Sequence, residues 1–301
     1  MDKKIKRSPL FYVGDKYRLM NQLTELFPKE INNYYEPFVG GGTVFLNIKA
    51  KKYVLNDIDK NLVNIHKCLI KYADDTNKFY ETVGKMIRKY GLSRSYTEDI
   101  VPHSLKKEFK KTYYAKFNKE GYEKLRECVN KSKQNDPLVL YVLLIYGFNR
   151  MLRFNGGGKF NLPVGNVDFN KNVVGALNNY FNFVKDVKIK ITAKDFRSFW
   201  DKVEFLENDF VYLDPPYLIA ASEYNKLWND KLEKELLLAI DKLERQGVRF
   251  AVSNVTHYNG SKNDLLIEWM NKYKVHKIKS NYISYHNNGK KVIKEILVTN
   301  Y

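Results

Sequence analysis

The sequence predicts an α/β protein in which one open, largely parallel sheet is interrupted after its second strand by a mainly helical insert. Three observations carry that prediction. A strand at 34–38 runs straight into Gly40-Gly41-Gly42, and a second strand at 53–55 ends on Asn56-Asp57, which is a βαβ pattern with an acid at its tip. Residues 70–135 then lose strand signals and become rich in Lys, Tyr and Glu at helical spacing. Regular strand and helix texture returns near residue 187.

Taken in order, residues 16–28 predict a helix, with Leu19, Leu23, Leu26 and Phe27 on one face and Pro28 as its stop. After the strand at 34–38 and its glycines, residues 43–48 are expected to open a second helix. Residues 138–148 are apolar throughout and predict a buried helix. The stretch 149–165 is rich in Gly and Asn, carries Arg150 and Arg153, and is too polar for core. Strands follow at 187–191 and 210–213, the latter ending on Asp214-Pro215-Pro216-Tyr217. Leu232, Leu236, Ile240 and Leu243 mark a helix over 231–246 that Gly247 stops. A strand at 248–252 precedes a final pair, 277–285 and 292–299, around the turn His286–Lys290 with Asn288-Gly289 inside it. The expected boundaries are 1–65 and 174–301 for the two parts of the sheet domain and 66–173 for the insert, a size typical of small domains.

The 301 residues contain 52 Lys and Arg against 34 Asp and Glu, a formal net charge of +18. Such a charge draws polyanions and makes binding sensitive to salt. Cys68 and Cys128 form no CxxC and have no His cluster beside them, so neither a disulfide framework nor a metal site is expected. Residues 1–7 are basic but no apolar stretch follows, so no signal peptide is expected. No segment is long and apolar enough to span a bilayer. A cytoplasmic setting without a membrane partner follows.

The chemistry-bearing residues gather at predicted strand ends. In Glu36-Pro37-Phe38-Val39-Gly40-Gly41-Gly42 the glycines let backbone approach a ligand that side chains would block. Asp57 is placed to accept hydrogen bonds from a ribose diol. There is no P-loop lysine and no GxGxxG spacing, which weakens nucleoside-triphosphate and NAD readings. In Asp214-Pro215-Pro216-Tyr217 the prolines remove two amide donors and fix the backbone, so carbonyls can face outward. A carboxylate and a proline carbonyl together suit the two N–H donors of an amino group. Tyr217 offers a ring for stacking a planar base. Acceptors on both N–H bonds favour a localised lone pair on an otherwise delocalised amino nitrogen. Two weaker pieces are Tyr12, Gly14 and Lys16 before the first helix and Asp195-Phe196 after the strand at 187–191.

Together these motifs resemble the DNA adenine methylase (Dam) family, of alpha-type motif order and the D12 class. The family's aromatic-x-Gly-x-Lys is similar to Tyr12–Lys16, its E/D-P-F-x-G-x-G to Glu36–Gly42, its acid after the second strand to Asp57, and its D-F to Asp195-Phe196. The D-P-P-Y motif is intact at 214–217. The resemblance implies a Rossmann-like S-adenosylmethionine-dependent methyltransferase sheet with an inserted target-recognition domain. It implies that Tyr12, Gly14, Lys16, Glu36, Pro37, Phe38, Gly40, Gly41, Gly42, Asp57, Asp195, Phe196 and Asp214 bind S-adenosylmethionine. Asp214, Pro215, Pro216 and Tyr217 are implied to be catalytic and to hold an adenine flipped from duplex DNA. The chain departs from the family pattern at Phe11, where many members have a basic residue, and at Asp15, where a second glycine is common.

The segment Phe148–Asn155 followed by Lys159–Gly165 is similar to the family's target-reading hairpin, N-G-L-x-R-Y-N…F-N-x-P-x-G. That resemblance implies DNA contacts from Asn149, Arg150, Met151, Arg153, Asn155, Lys159, Asn161 and Pro163, with Arg153 reading a guanine and Met151 wedging into the duplex. Arg150 replaces a small residue, so the recognition sequence stays open between GATC and an asymmetric site. A solitary or phage methylase, or the modification partner of a restriction endonuclease, fits this reading. Two rivals stand beside it. A methyltransferase acting on RNA or on cytosine N4 would use the same Asp-Pro-Pro-Tyr chemistry, although the duplex-reading hairpin argues against RNA. A basic DNA-binding module without activity would need neither Asp214 nor the glycine turn.

Overall fold

A computed structural model describes residues 4–98, 100–132, 135–200, 203–220, 227–279 and 293–301. They divide into two compact units, one of Lys16–Val39, Asn47–Ile58 and Lys188–Tyr301, the other of Met1–Asp15, Gly40–Leu46 and Asp59–Val187.

The first unit holds the sheet. Its strands are β1 (Asn33–Glu36), β2 (Lys52–Asp57), β3 (Lys188–Ala193), β4 (Phe210–Leu213), β5 (Arg249–Tyr258), β6 (Ser261–Lys262), β7 (Lys274–Ile278) and β8 (Ile293–Thr299), in the spatial order β3-β2-β1-β4-β5-β8-β7 with β6 paired to β5. The five strands from β3 to β5 run parallel, in registers such as Tyr35↔Val54, Tyr35↔Val211 and Val211↔Phe250. β8 is antiparallel to β5 and to β7. The central strand β4 is buried at every residue, as expected where both faces are covered, whereas the edge strand β3 exposes Lys188 and Lys190. Helices α1 (Met20–Leu26), α8 (Phe196–Phe199), α9 (Asp230–Arg245) and α10 (Asp264–Met270) belong to this unit. α9 is capped by Asn229 Oδ1 on the Leu232 amide and buries Leu236, Leu237, Ile240 and Leu243 among Val211, Leu213, Phe250 and Val252.

The second unit is helical: α2 (Lys60–Tyr72), α3 (Thr76–Lys89), α4 (His103–Glu108), α5 (Tyr113–Lys131), α6 (Pro137–Tyr146) and α7 (Lys171–Lys185). Asp136 caps α6 and Pro137 opens it, and all its residues from Leu140 to Tyr146 are buried, which explains an apolar sequence without periodicity. Residues 147–165 fold back on themselves: Gly147 bridges Val164 and Phe154 bridges Phe160, antiparallel.

Three expectations need correction or limits. The helix expected at 43–48 is a single 3-10 turn, Phe45–Asn47. The Tyr53 hydroxyl donates to the Ile48 carbonyl (2.8 Å) and accepts from the Ala50 amide (3.0 Å), capturing groups that a continuing helix would use. The strand expected to stop at 252 continues to Tyr258, because β8 pairs along it and a bulge at Thr256 keeps the ladder in step. Of the final pair expected at 277–285 and 292–299, the second strand is met by β8, whereas the first is β7, Lys274–Ile278, which begins earlier and has ended by Lys279; residues 280–285 and the turn His286–Lys290 lie outside the described residues. Among the described residues no helix is long and apolar enough to cross a membrane.

Candidate active site

Because β1, β2, β3 and β4 are parallel, their carboxyl ends share one edge of the sheet. The chain leaves β1 toward β2 on one side and β4 toward β5 on the other, so the strand order reverses between β1 and β4. Open α/β sheets bind ligands at such a reversal. Asp214 follows β4 at this point. Its Oδ2 lies 2.7 Å from the Lys16 Nζ, and its Oδ1 accepts from the Tyr217 hydroxyl at 3.1 Å. Lys16 is 5% exposed and Asp214 20%. The same ammonium stands 5.3 Å from the centre of the Tyr217 ring. Pro215 between them is buried and Pro216 half-buried. An ionised carboxylate offers about four acceptor positions. Lys16 and Tyr217 take two, which leaves capacity for the N–H groups of a substrate.

Neighbouring strand ends are tied together by Asn56. Its Nδ2 donates to the Pro37 carbonyl (3.1 Å) after β1 and to the Lys194 carbonyl (2.8 Å) after β3. Its Oδ1 accepts from the Thr192 hydroxyl (2.8 Å) and the Lys194 amide (3.0 Å). This fully buried amide thereby meets all its hydrogen-bonding needs and fixes the spacing of the ends that carry Phe38, Asp57 and Asp195. Asp57 is half-buried at the tip of β2. Glu36 is buried and accepts from the Tyr34 hydroxyl at 3.0 Å. That carboxylate and burial push the Tyr34 phenol well above its ordinary range, burial being the larger cause.

Asp195 caps α8 through the Arg197 amide (2.9 Å) and receives the Arg197 guanidinium on both oxygens at 2.8 Å. Arg197 thereby holds the Asp195 carboxyl below its ordinary range. Beside it, the rings of Phe38, Phe196 and Trp228 form a triangle with centroids 5.6, 5.7 and 5.9 Å apart. Phe196 is buried in the core, and Phe38 and Trp228 are partly exposed over it. An acid at a strand tip and an aromatic wall fit the ribose and the ring of a nucleoside.

The helical unit carries the other predicted residues. Tyr12 is buried, and a side chain at Gly41 would meet its Cβ at 2.8 Å, so the backbones of the entry segment and the glycine turn pack directly. Gly42, at φ +80°, could carry no Cβ without striking Phe45 at 2.4 Å. Gly40 has φ +48° with open space where a side chain would begin, as a backbone surface offered to a ligand requires. Behind it, His66 Nε2 lies 2.9 Å from the Gly40 carbonyl and Nδ1 3.2 Å from the Tyr180 hydroxyl. A carbonyl only accepts, so Nε2 carries the proton and Nδ1 receives the phenol's. Burial lowers the His66 pKa to about 4, against the smaller upward effect of the Gly40 carbonyl. Gly14, at φ +78°, precedes Asp15, whose carboxylate pairs with Arg7 at 3.2 Å.

The fold-back at 147–165 turns on Asn155, whose Oδ1 accepts from the Gly157 and Lys159 amides at 3.0 Å. Leu152, Phe160 and Leu162 point inward and are buried, while Asn149, Asn155, Lys159 and Pro163 are exposed and Met151 half-buried. Arg153 donates from Nε to Asn161 Oδ1 (2.9 Å) and from Nη2 to the Asn161 carbonyl (2.8 Å). That side-on grip leaves the end-on pair of N–H groups, one on each Nη, for a bidentate contact.

The sequence model of the D12 class N6 adenine-specific DNA methyltransferases matches residues 12–283. The chain belongs to that family. It is 33% identical over 304 residues to the Type II methyltransferase M.FokI of Planomicrobium okeanokoites, covering 98% of this chain and 43% of that protein. To the modification methylase StsI of Streptococcus sanguinis it is 34% identical over 310 residues, 99% of this chain and 43% of that protein. To the DNA adenine methylase of Escherichia coli it is 26% identical over 304 residues, 97% of this chain and 94% of that protein. The chain thus spans less than half the length of the first two relatives.

Within this D12 framework the sheet unit holds Lys16, Glu36, Pro37, Phe38, Asp57, Asp195, Phe196 and residues 214–217, and the helical unit holds Tyr12, Gly14, Gly40, Gly41, Gly42 and the fold-back residues. Three supporting residues escaped the sequence reading. Asn56 precedes the strand-tip acid, a position where a buried polar residue signals a tie between strands. His66 lies on the apolar face of α2, where a lone His reads as core. Trp228 is separated from its ring partners by too much chain to be paired by eye.

Proposed function

We propose that this chain transfers a methyl group from S-adenosylmethionine to N6 of an adenine extruded from duplex DNA. The observation that carries the reading is the Asp214–Lys16–Tyr217 cluster at the reversal of strand order: a carboxylate held in place yet with acceptor positions to spare, beside an aromatic ring. S-adenosylmethionine supplies an electrophilic sulfonium methyl group. Asp57 accepts from its ribose, and the aromatic wall of Phe38 and Trp228 flanks its base. Asp214 and the proline carbonyl accept the two N6–H bonds, which localises the nitrogen lone pair, and Tyr217 holds the ring of the base. Positioning of this kind removes much of the barrier without a metal or a strong base.

Residues 66–173 act as the target-recognition insert of a Rossmann-like catalytic domain, with Arg153 on a guanine and Met151 against the gap left by the base. The net charge of +18 supports an interface with a polyanion. The names of M.FokI and StsI, a Type II methyltransferase and a modification methylase, support a role in modification alongside a cognate restriction endonuclease.

The test is product identity. Duplex DNA incubated with the chain and a labelled methyl donor is digested to nucleosides. Label on N6-methyladenine supports the reading. Label on N4-methylcytosine, or transfer to RNA in preference to duplex DNA, rejects it.

A further inference from the structure

Phe11, Asp15 and Arg150 lie in one cluster with Arg7. The Arg150 guanidinium lies 4.3 Å from the centre of the Phe11 ring, and the Arg7 guanidinium 4.7 Å from the same ring. Asp15 takes the Arg7 Nε at 3.2 Å. Arg150 holds this place at a cost: Asn149 and Arg150 are consecutive residues at φ +54° and +49°, a region that favours glycine. Its Nε is fully buried and has no hydrogen-bond partner. Burial, with Arg7 as the next cause, lowers its pKa. A strained backbone, an unsatisfied buried donor and a like-charged neighbour are all unfavourable for folding alone. They are offset if an anion joins the cluster.

We propose that Arg150 and Arg7, seated on the ring of Phe11, form a phosphodiester-binding pair that anchors duplex DNA beside the target-reading fold-back whatever its sequence. The inference rests on the DNA-methyltransferase reading. Two guanidiniums against one ring offer N–H donors in more than one plane, which suits a tetrahedral oxyanion that accepts from several directions, whereas a base edge takes one planar fork. Arg153, three residues further along the chain and gripped by Asn161, presents that single fork.

The experiment measures binding to two duplexes, one methylated by the wild type and one of scrambled sequence, across a salt series, for wild type, Arg150→Gly and Arg7→Gln. Arg150→Gly is expected to melt no lower than wild type, since glycine accepts the left-handed backbone. Each variant is expected to lose about tenfold in affinity, by the same factor on both duplexes, as for loss of a charge-assisted contact. The slope of log K against log salt should become shallower by about 0.9 for each phosphate contact removed. An unchanged slope overturns the proposal. So does a loss confined to the methylated sequence, which makes Arg150 a base reader, and so does a lower melting temperature in Arg150→Gly with Arg7→Gln unchanged in binding, which makes the cluster a packing device. Failure of the wild type to bind either duplex overturns the underlying reading instead, and the inference with it.

Discussion

Removing the Asp214 side chain should cost stability as well as activity, and the size of that cost follows from Lys16. The Lys16 ammonium is 5% exposed and has the Asp214 carboxylate at 2.7 Å. Asp214→Ala takes one carboxylate away from that buried ammonium, a change that costs about 3–5 kcal/mol at fully buried pairs. Asp214 is itself 20% exposed, so water enters the gap and the expected cost falls to about 3 kcal/mol. For a domain of this size that lowers the melting temperature by roughly 6–12 °C. Asp214→Asn keeps an acceptor for Lys16 and should lose about half as much. Lys16→Met should cost less still, about 1 kcal/mol, because the remaining carboxylate keeps the Tyr217 hydroxyl and reaches water. In the double variant Lys16→Met with Asp214→Ala the two costs should fall short of their sum by roughly 1.5–3 kcal/mol. Thermal melts of the four proteins give the cycle. Additive costs would refute the ion pair. Methyl transfer by folded Asp214→Asn should fall at least about a hundredfold, as for loss of one preorganised hydrogen-bonding group, and duplex binding should change little. The Asn variant, not the Ala variant, is therefore the clean probe of chemistry.

Further outcomes follow from the other contacts. His66 drops from 6.5 to about 4 on burial. Since the unfolded chain binds that proton more tightly, stability is fully present above pH 6.5 and is lost by about 3 kcal/mol as pH falls toward 4. His66→Gln should flatten the melting curve's pH dependence over that window. An Asn56→Ala variant should melt lower and weaken cofactor binding, measured by calorimetry, because it leaves the Pro37 and Lys194 carbonyls unpaired. Asn161→Ala frees the Arg153 guanidinium and should reduce discrimination between methylated and scrambled duplexes more than total affinity. Arg153→Ala should relax or abolish it. Gly42→Ala should destabilise the turn by at least about 1 kcal/mol, read by thermal melts, given φ +80° and the contact with Phe45.

What could be read from the chain depended on how local its cause was. β4 and α9 were legible because burial and amphipathic spacing write themselves into four and sixteen consecutive residues. The apolar run at 138–148 was legible as a buried helix because its residues are apolar throughout, although the helix ends at Tyr146 and Phe148 is exposed. The 3-10 turn at Phe45–Asn47 was not, since the Tyr53 hydroxyl that ends it comes from the next strand. The full length of β5 was hidden because its partner β8 lies some forty residues on. At the site, Asp214 and Tyr217 were legible as a motif and Lys16 as part of the entry motif, but not the carboxylate that Lys16 pairs with. That the carboxylate is Asp214 itself is a consequence of sheet topology. Asp195 read as an acceptor for a ligand; in the structure its oxygens are held by Arg197, two residues on.

A crystal structure with a target duplex and the demethylated cofactor product measures the central claim directly. The extruded adenine's N6 is expected within hydrogen-bonding distance of an Asp214 oxygen, with its ring against Tyr217. An adenine left stacked in the duplex, or seated away from residues 214–217, would contradict it.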